Sequence, residues 1–221
     1  MTKYDVIVVG AGTAGCFNAY LLASRGFSVA LVEAKDKNII GCKVCGDAVG
    51  KHHFENVGLN PPTGRELEGV FKGIIVYSPR EDKSIIVRGE GYAINRHLFG
   101  QRLLKMALNK GVELYDNSVA LEPIVKGDYV IGVRIKRKNT LKVEELYSRV
   151  VVDATGATST LRRKLPREWW ISESIPPEDY NIAYREIREV EVELDTRYAE
   201  IHLSKKIAPG GYWWFFPKTK S

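Results

Sequence analysis

The sequence predicts an α/β protein with two parts: a Rossmann-like nucleotide-binding domain on a parallel sheet, and a smaller domain on an antiparallel sheet. The first part is indicated by a β-branched run at 6–9 that passes directly into a glycine-rich turn and an apolar helix. The second is indicated from about residue 180 onward, where apolar and polar residues alternate over long stretches. We therefore assign 1–165 to the first domain, with a β-hairpin inserted at about 61–90, and 166–221 to the second.

Three glycines follow the first predicted strand at the spacing typical of a dinucleotide-binding βαβ unit. Gly10 permits the tight turn, Gly12 allows the close approach of a pyrophosphate, and Gly15 lets the helix pack on the strand. The N–H groups at the start of that helix favour a bound phosphate. Glu33, at the end of the second strand, can accept hydrogen bonds from the ribose hydroxyls. This unit predicts a dinucleotide ligand, either FAD or NAD(P).

The later elements follow from apolar periodicity and from turn residues. The turn that ends the last strand of the first domain contains Asp153 and Gly156, where a second contact with the nucleotide is expected. Helices are predicted at 47–56 and 95–110, a hairpin at 69–87, and further strands at 112–115, 119–125, 129–136, 143–152, 181–194, 198–203 and 212–216.

The charge balance and hydropathy of the chain argue against several classes of function. There are 33 basic and 27 acidic residues, a formal charge of +6, with basic clusters at 136–138 and 162–164. Because no nucleic-acid-reading motif accompanies them, an anionic ligand or an acidic lipid surface suits this charge better than nucleic acid. No apolar run approaches the about 20 residues that a membrane span needs, and no signal peptide precedes the first strand. We therefore expect a cytoplasmic protein with at most a peripheral membrane contact.

Three cysteines in such a chain do not indicate a disulfide framework. Cys16, on the first helix, is expected to be a core residue. Cys42 and Cys45 form a C-x-x-C pair with two histidines a few positions later, a pattern compatible with zinc or with a redox dithiol. The histidines, His52 and His53, are adjacent on one predicted helix and should point about 100° apart. We therefore expect no metal site and leave the redox interpretation open.

Three further segments carry a resemblance to a known family. They are Cys45-Gly-Asp-Ala48, the stretch Asn95-Arg96-x-x-Phe99 with Arg102, and Pro209-Gly-Gly-Tyr-Trp-Trp-Phe-Phe-Pro217, which is similar to a P-x-x-Y-x-W-x-F-P signature. In this order and spacing, the chain resembles the FAD-dependent geranylgeranyl reductases of archaeal lipid synthesis, within the para-hydroxybenzoate hydroxylase-like flavoprotein superfamily. Val44 departs from the proline or arginine common in that family, and Cys42 is additional to its pattern.

The resemblance implies FAD as the cofactor and suggests roles for particular residues. Cys45 lies in the loop beside the flavin and is the candidate catalytic residue; the alternative is a small residue tolerated in a glycine-rich loop. Tyr212 and Trp214, which share one face of their strand, are implied on the substrate side. Arg96 is nearer the start of its helix than Arg102, so it is the preferred arginine for the flavin nucleotide. The full set of expected cofactor contacts is Gly10, Gly12, Ala14, Gly15, Glu33, Ala34, Val44, Cys45, Gly46, Ala48, Arg96, Arg102, Ala120, Asp153 and Gly156.

The same resemblance implies a reaction and its partners. We expect a reductase that saturates double bonds of geranylgeranyl chains, in a lipid or diphosphate substrate, with electrons from an external donor such as NAD(P)H or ferredoxin. Two alternatives stay open: a flavin monooxygenase or epoxidase on the same scaffold, and an inactive nucleotide-binding fragment. Family members carry a Gly-Asp loop at the flavin in their second half. Because this sequence contains no such segment, we expect the antiparallel domain to be incomplete.

Overall fold

The computed structural model describes residues 3–189, 191 and 195–218 and divides the chain into two units. Unit 1 comprises Met1–Cys42 and Gly100–Ile182, and unit 2 comprises Lys43–Phe99 and Ala183–Ser221. The sequence predicted a single boundary after residue 165, so the structure divides the chain differently. The reason is that the hairpin expected as an insertion in the first domain shares its sheet with strands that follow residue 197.

The secondary structure combines strands with α-helices and short 3₁₀ turns. The strands are β1 (Lys3–Val9), β2 (Val29–Val32), β3 (Ala48–Gly50), β4 (Leu67–Tyr77), β5 (Ser84–Ile94), β6 (Glu113–Tyr115), β7 (Ser118–Lys126), β8 (Tyr129–Arg137), β9 (Val143–Asp153), β10 (Tyr198–His202) and β11 (Trp213–Phe215). The α-helices are α1 (Thr13–Ala23), α2 (Lys51–Asn56) and α3 (Arg96–Asn109). The 3₁₀ turns are Lys37–Ile39, Gly64–Glu66, Gly156–Thr158, Arg162–Lys164, Trp170–Ser172 and Pro177–Asp179. None of the described helices has the length and hydropathy needed to span a bilayer.

Unit 1 is built on a six-stranded sheet in the order β6-β2-β1-β9-β8-β7. The first four strands are parallel, which confirms the expected Rossmann-like sheet, and the last two pair antiparallel. Because β1 pairs with both β2 and β9, Val9 lies beside Val32 on one side and beside Asp153 on the other. The carboxyl ends of these three strands therefore meet at one edge of the sheet, which is where open parallel sheets bind ligands.

The central strand β1 is apolar along most of its length because both faces of the sheet are covered. Ile7 and Val8 point to opposite faces, and both are fully buried. Burial of this apolar surface is the main favourable contribution to the stability of the unit. A core cluster of unit 1 consists of Tyr4, Ile7, Val9, Ala30, Val32, Tyr115, Ala120, Val133, Ile135, Leu146 and Leu161.

Unit 2 is built on a five-stranded sheet in the order β11-β10-β4-β5-β3. The sequence predicted antiparallel pairing, which holds for every pair in this sheet except β10 with β4, which is parallel. A parallel pair needs a long crossover connection, and here the second chain segment of unit 1 supplies it. A small core of Phe71, Ala93 and Ala199 lies on this sheet.

Two predicted elements have a different type of secondary structure over part of their length, and the hairpin predicted at 69–87 extends to Ile94. The helix predicted at 47–56 begins only at Lys51, because Ala48–Gly50 pair with β5 as strand β3. The strand predicted at 181–194 is wrong for residues 181–189 and 191, which form no strand, and its other positions lie outside the described residues. Tyr184 and Ile187 in this segment are 79% and 69% exposed, so the alternation there does not reflect burial on a sheet face.

Replacing Ile7 by Ala tests whether β1 lies at the centre of the unit 1 core. Ile7 is 0% exposed, so we expect the loss of its buried methyl groups to lower the free energy of unfolding by about 2–5 kcal/mol. The control is Val150→Ala on the neighbouring strand, since Val150 is 52% exposed and its truncation should cost about 0.5 kcal/mol. Urea unfolding followed by circular dichroism measures both variants. Similar unfolding midpoints for the two would contradict this placement of Ile7.

Candidate functional site

Gly10, in the turn after β1, and Gly15, in the first turn of α1, lie at positions where no side chain fits. Gly10 has a φ of +100°, and a Cβ there would lie 2.4 Å from the carbonyl oxygen of Ala154. A Cβ on Gly15 would lie 1.7 Å from the carbonyl oxygen of Gly10. Both distances are far below van der Waals contact, so the close packing of α1 against the turn requires glycine at both positions.

Gly12 and the start of α1 leave open space where a phosphate would lie. A Cβ added to Gly12 would meet no atom within 4 Å, and Gly12 caps the helix without a side-chain hydrogen bond. Thr13 and Ala14, the first residues of α1, are exposed. The backbone N–H groups and the positive end of the helix dipole favour an anion here, so these residues fit the pyrophosphate of a dinucleotide.

Glu33 is held beside this turn by backbone hydrogen bonds. Its Oε2 accepts the N–H of Ala11 at 2.6 Å, and its Oε1 accepts the N–H of Lys35 at 2.8 Å. Each carboxylate oxygen can accept a further hydrogen bond, so the group is able to bind ribose hydroxyls while it stays oriented. Ala34, the next residue, is exposed.

Asp153 organises the turn that follows β9. Its carboxylate accepts the hydroxyl and the N–H of Thr155 and the N–H groups of Leu161 and Arg162, at distances of 2.6–3.0 Å. Burial acts to raise the pKa of Asp153, but these hydrogen bonds, led by that from the Thr155 hydroxyl, together lower the pKa below its usual range. Gly156 lies in the same turn with a φ of +72°, and an added Cβ there would meet no atom within 4 Å.

In unit 2, the Cys45–Gly46 loop lies against aromatic residues in and around β11. A Cβ on Gly46 would lie 2.6 Å from Cε2 of Phe216 and 3.3 Å from Nε1 of Trp214. The rings of Tyr212 and Trp214, and those of Trp214 and Phe216, have centroids 6.2 Å apart. The structure therefore brings the expected substrate residues and the expected catalytic loop together within one unit.

Trp213, whose side chain lies on the other face of β11, belongs to a separate stack of rings. Trp213 stacks on His202 with a centroid distance of 3.7 Å, and His202 stacks on Tyr77 at 4.4 Å. The ring nitrogens of His202 lie 3.1 Å from Glu81 and 3.2 Å from Glu200. Strand alternation thus separates this stack from the aromatic face beside Gly46.

Sequence reasoning missed an ionic cluster next to the Cys45 loop. Asp47 is 2% exposed, and its carboxylate contacts Arg96 at 3.4 Å, Lys218 at 3.0 Å, and Arg185. Arg96, expected at the flavin nucleotide, also places its Nη2 3.3 Å from the sulfur of Cys45. A charged residue within an otherwise small-residue motif is a signal that could have identified Asp47. Arg185 and Lys218 carry no such local signal, because they are distant from the motif in sequence.

The expected cofactor residues fall into two groups, one in each unit. Arg96 and Arg102 both lie on α3 but belong to different units, while Ala120 is buried in the core of unit 1 and Val44 is 64% exposed. Unit 1 contains Gly10, Gly12, Ala14, Gly15, Glu33, Ala34, Arg102, Ala120, Asp153 and Gly156, and unit 2 contains Val44, Cys45, Gly46, Ala48 and Arg96.

The remaining cysteine and histidine predictions concern Cys16, His52 and His53. Cys16 is a core residue as expected; burial, followed by the charge of Glu33, raises the pKa of its thiol to about 12. His52 and His53 lie at adjacent positions of α2, as predicted, and their ring centroids are 3.9 Å apart. Across the part of the chain that the structure describes, no three His, Cys, Asp or Glu side chains are grouped to hold a metal ion.

Comparison with known proteins identifies the family. Residues 5–163 match the model of a family described as FAD dependent oxidoreductase. The chain belongs to this family. Residues 179–221 match a second model, described as the geranylgeranyl reductase catalytic domain. These matches confirm the resemblance that the motifs indicated, and they make FAD the dinucleotide.

Individual relatives agree with the family matches. A digeranylgeranylglycerophospholipid reductase of Sulfolobus acidocaldarius is 43% identical over 220 residues, which cover 99% of this chain and 49% of the relative. A protein of the same name from Picrophilus torridus is 30% identical over 227 residues, covering 99% and 54%. The crystal structure of a geranylgeranyl bacteriochlorophyll reductase-like protein from Thermoplasma acidophilum superposes with a TM-score of 0.80 at 27% identity, covering 99% and 54%. The chain therefore spans about half the length of the relatives it matches.

Substitutions of Gly12 and Gly15 should separate nucleotide binding from folding. Gly12→Val places its side chain in open space, so we expect an unchanged free energy of unfolding but FAD affinity at least about tenfold lower, because the added atoms displace the pyrophosphate. Gly15→Ala should instead destabilise unit 1 itself, since its Cβ overlaps Gly10. Ultrafiltration with FAD and thermal unfolding measure the two effects. Normal FAD retention by Gly12→Val would contradict the placement of the pyrophosphate.

Proposed function

We propose that this protein is an FAD-dependent reductase that saturates double bonds of geranylgeranyl chains in archaeal membrane lipid precursors. The relatives named digeranylgeranylglycerophospholipid reductase and the match of residues 179–221 to the geranylgeranyl reductase catalytic domain support this proposal. The structural observation that carries it is the contact of Gly46 with Trp214 and Phe216, which places an aromatic surface beside the thiol-bearing loop.

The aromatic surface is suited to a prenyl chain. Tyr212, Trp214 and Phe216 present a continuous row of rings, and large apolar side chains of this kind bind hydrocarbon and exclude water. Gly46 lacks a side chain where the row meets the loop, and the rings of Phe216 and Trp214 fill that space, so they pack directly against the backbone of the loop. We propose that Tyr212 and Trp214 contact the substrate.

The chemistry of an isolated alkene defines what the protein must supply. A trisubstituted isoprene bond is not polarised, so hydride attack alone would leave an unstabilised negative charge on carbon. Protonation to a tertiary cation, followed by hydride transfer to that cation, saturates the bond with one proton and one hydride. Bound FAD, once reduced, supplies the hydride. The protein's share is to orient the alkene, to exclude water and to hold a proton near it, and Cys45 is the candidate group for the last of these.

Saturation of each double bond consumes two electrons, so repeated turnover needs a continuing supply of electrons. We propose an external donor, NAD(P)H or a ferredoxin, that reduces the bound FAD. The substrate is either a geranylgeranyl lipid or the corresponding diphosphate, since both carry the same unpolarised alkenes.

Anaerobic turnover tests this function. Protein loaded with FAD and reduced with dithionite should convert a geranylgeranyl lipid into products that gain two hydrogens per bond, measured by mass spectrometry. If the thiol of Cys45 holds the proton that is transferred to the alkene, Cys45→Ala should slow the conversion at least about tenfold. Cys42→Ala is the matched control, an exposed thiol three positions earlier. Unchanged substrate in the presence of bound, reduced FAD would refute the proposal, and an oxygenated product formed in air would instead indicate a monooxygenase.

We also propose a peripheral membrane contact through the segment that follows β9. Trp170 and Ile171 are 87% and 42% exposed, and Arg163 and Arg167 nearby are also exposed. Tryptophan favours the interface of a bilayer, and arginine is attracted to anionic headgroups. This combination suits a surface that takes up a lipid substrate.

Sedimentation with phosphatidylglycerol vesicles tests the membrane contact. We expect Trp170→Ala to reduce the bound fraction by about fivefold, because it removes the more exposed of the two tryptophans in the segment. Tyr129→Ala is the control, since Tyr129 is an aromatic residue of the same unit that is 75% exposed. Equal binding by both variants would exclude Trp170 as the contact.

A further inference from the structure

We propose that Asp47 is a positioning residue for the thiol of Cys45: its buried carboxylate gathers three cations and thereby holds one of them, the guanidinium of Arg96, against the sulfur. The proposal rests on the proposed function only for the chemistry assigned to Cys45. Every contact that carries it lies within unit 2.

Asp47 is buried where an isolated carboxylate would be costly. It is 2% exposed, and transfer of a charged group out of water is unfavourable unless counter-charges and hydrogen bonds replace the solvent. Arg96 lies 3.4 Å from Oδ1, while Lys218, at 3.0 Å, and Arg185 both contact Oδ2. The carboxylate is therefore the common partner of three side chains that would otherwise repel one another.

The same cations contact Cys45 on two sides. Nη2 of Arg96 lies 3.3 Å from the sulfur, and Nη1 of Arg185 donates a hydrogen bond to the Cys45 carbonyl oxygen at 2.8 Å. One arginine thus contacts the reactive atom, and the other fixes the backbone that carries it. Both are oriented by Asp47, two residues along the chain.

The backbone of Asp47 shows that the loop is shaped around this cluster. Its φ is +64°, a left-handed conformation that non-glycine residues seldom adopt. Its carbonyl oxygen accepts the N–H of Ile94 at 2.9 Å, so the residue is fixed at the end of β5. The conformation directs the carboxylate inward, toward the cations.

A second carboxylate takes part in the cluster. Lys218 also contacts Glu68 at 2.5 Å, so Asp47 and Glu68 share this cation. A guanidinium that donates to sulfur stabilises the negative charge that the sulfur carries when it reacts. Asp47 therefore controls the reactivity of Cys45 through the position of Arg96.

Alkylation with iodoacetamide tests the proposal without substrate or flavin. Mass spectrometry of the labelled 221-residue chain yields the ratio of Cys45 to Cys42 modification, with the exposed Cys42 as internal reference. We expect Asp47→Asn to lower this ratio by about fivefold, because Arg96 loses its anchor. Asp82→Asn is the matched control, the same change at the tip of the β4–β5 hairpin, and should leave the ratio unchanged.

The sign of the change separates positioning from a direct effect of charge. If Asp47 acted only through its own negative charge, its removal would favour negative sulfur and raise the ratio. A ratio that is unchanged or raised in Asp47→Asn therefore overturns the proposal. If near-ultraviolet circular dichroism shows that this variant is unfolded, Asp47→Glu decides: the charge is kept but displaced, so a lowered ratio supports positioning and an unchanged one refutes it. A lower Cys45 labelling ratio in Asp47→Asn, together with no alkene reduction by the unsubstituted protein, would refute the proposed function and leave this inference intact.

Discussion

The register of β1 with its two parallel neighbours is the constraint on which the nucleotide-binding part of unit 1 depends. The N–H of Gly10 donates to the carbonyl oxygen of Val32 at 2.7 Å, and the N–H of Ala154 donates to the carbonyl oxygen of Val9 at 2.8 Å. These hydrogen bonds align the carboxyl ends of β1, β2 and β9 with one another. This brings Glu33 within hydrogen-bonding distance of the glycine turn. A slip of one residue would turn each side chain to the opposite face and separate these groups. The geometry of the predicted anion site is therefore a consequence of the sheet as well as of the glycines.

Unit 2 depends on a different kind of interaction, the neutralisation of a buried carboxylate. Asp47 draws together side chains from α3, from the segment after residue 183 and from the residues after β11. Removing one partner of such a cluster leaves a buried charge uncompensated, which is the costly case for ion pairs in proteins. Arg96 and Arg185 from this cluster also contact Cys45, in the loop where Gly46 lies against the rings of Trp214 and Phe216.

Some elements have apolar residues that recur at the period of a helix or strand and are also the residues that become buried. Those elements were predictable from sequence. α3 and the strands β6 to β9 begin and end within one residue of the predicted positions, because each has an apolar pattern of the matching period. The failures share a cause. The pairing of β3 with β5 is not visible in the local sequence, which favours a helix there, and the apolar residues of 181–189 alternate without being buried. The division of the chain into units differed because it depends on the parallel pairing of β10 with β4.

The sequence by itself determined the βαβ unit and its dinucleotide ligand, because contiguous residues impose those requirements: a tight turn, a close backbone approach and an apolar strand. The later motifs resembled those of a flavoprotein family, and the family match made the dinucleotide FAD. The location of Cys45 and of the aromatic strand in the motifs was equally accessible. Only the tertiary structure decided which groups surround that cysteine. Arg185 and Lys218 reach Asp47 across 138 and 171 positions of the chain, and contacts at such separations follow from how the strands assemble rather than from any local pattern.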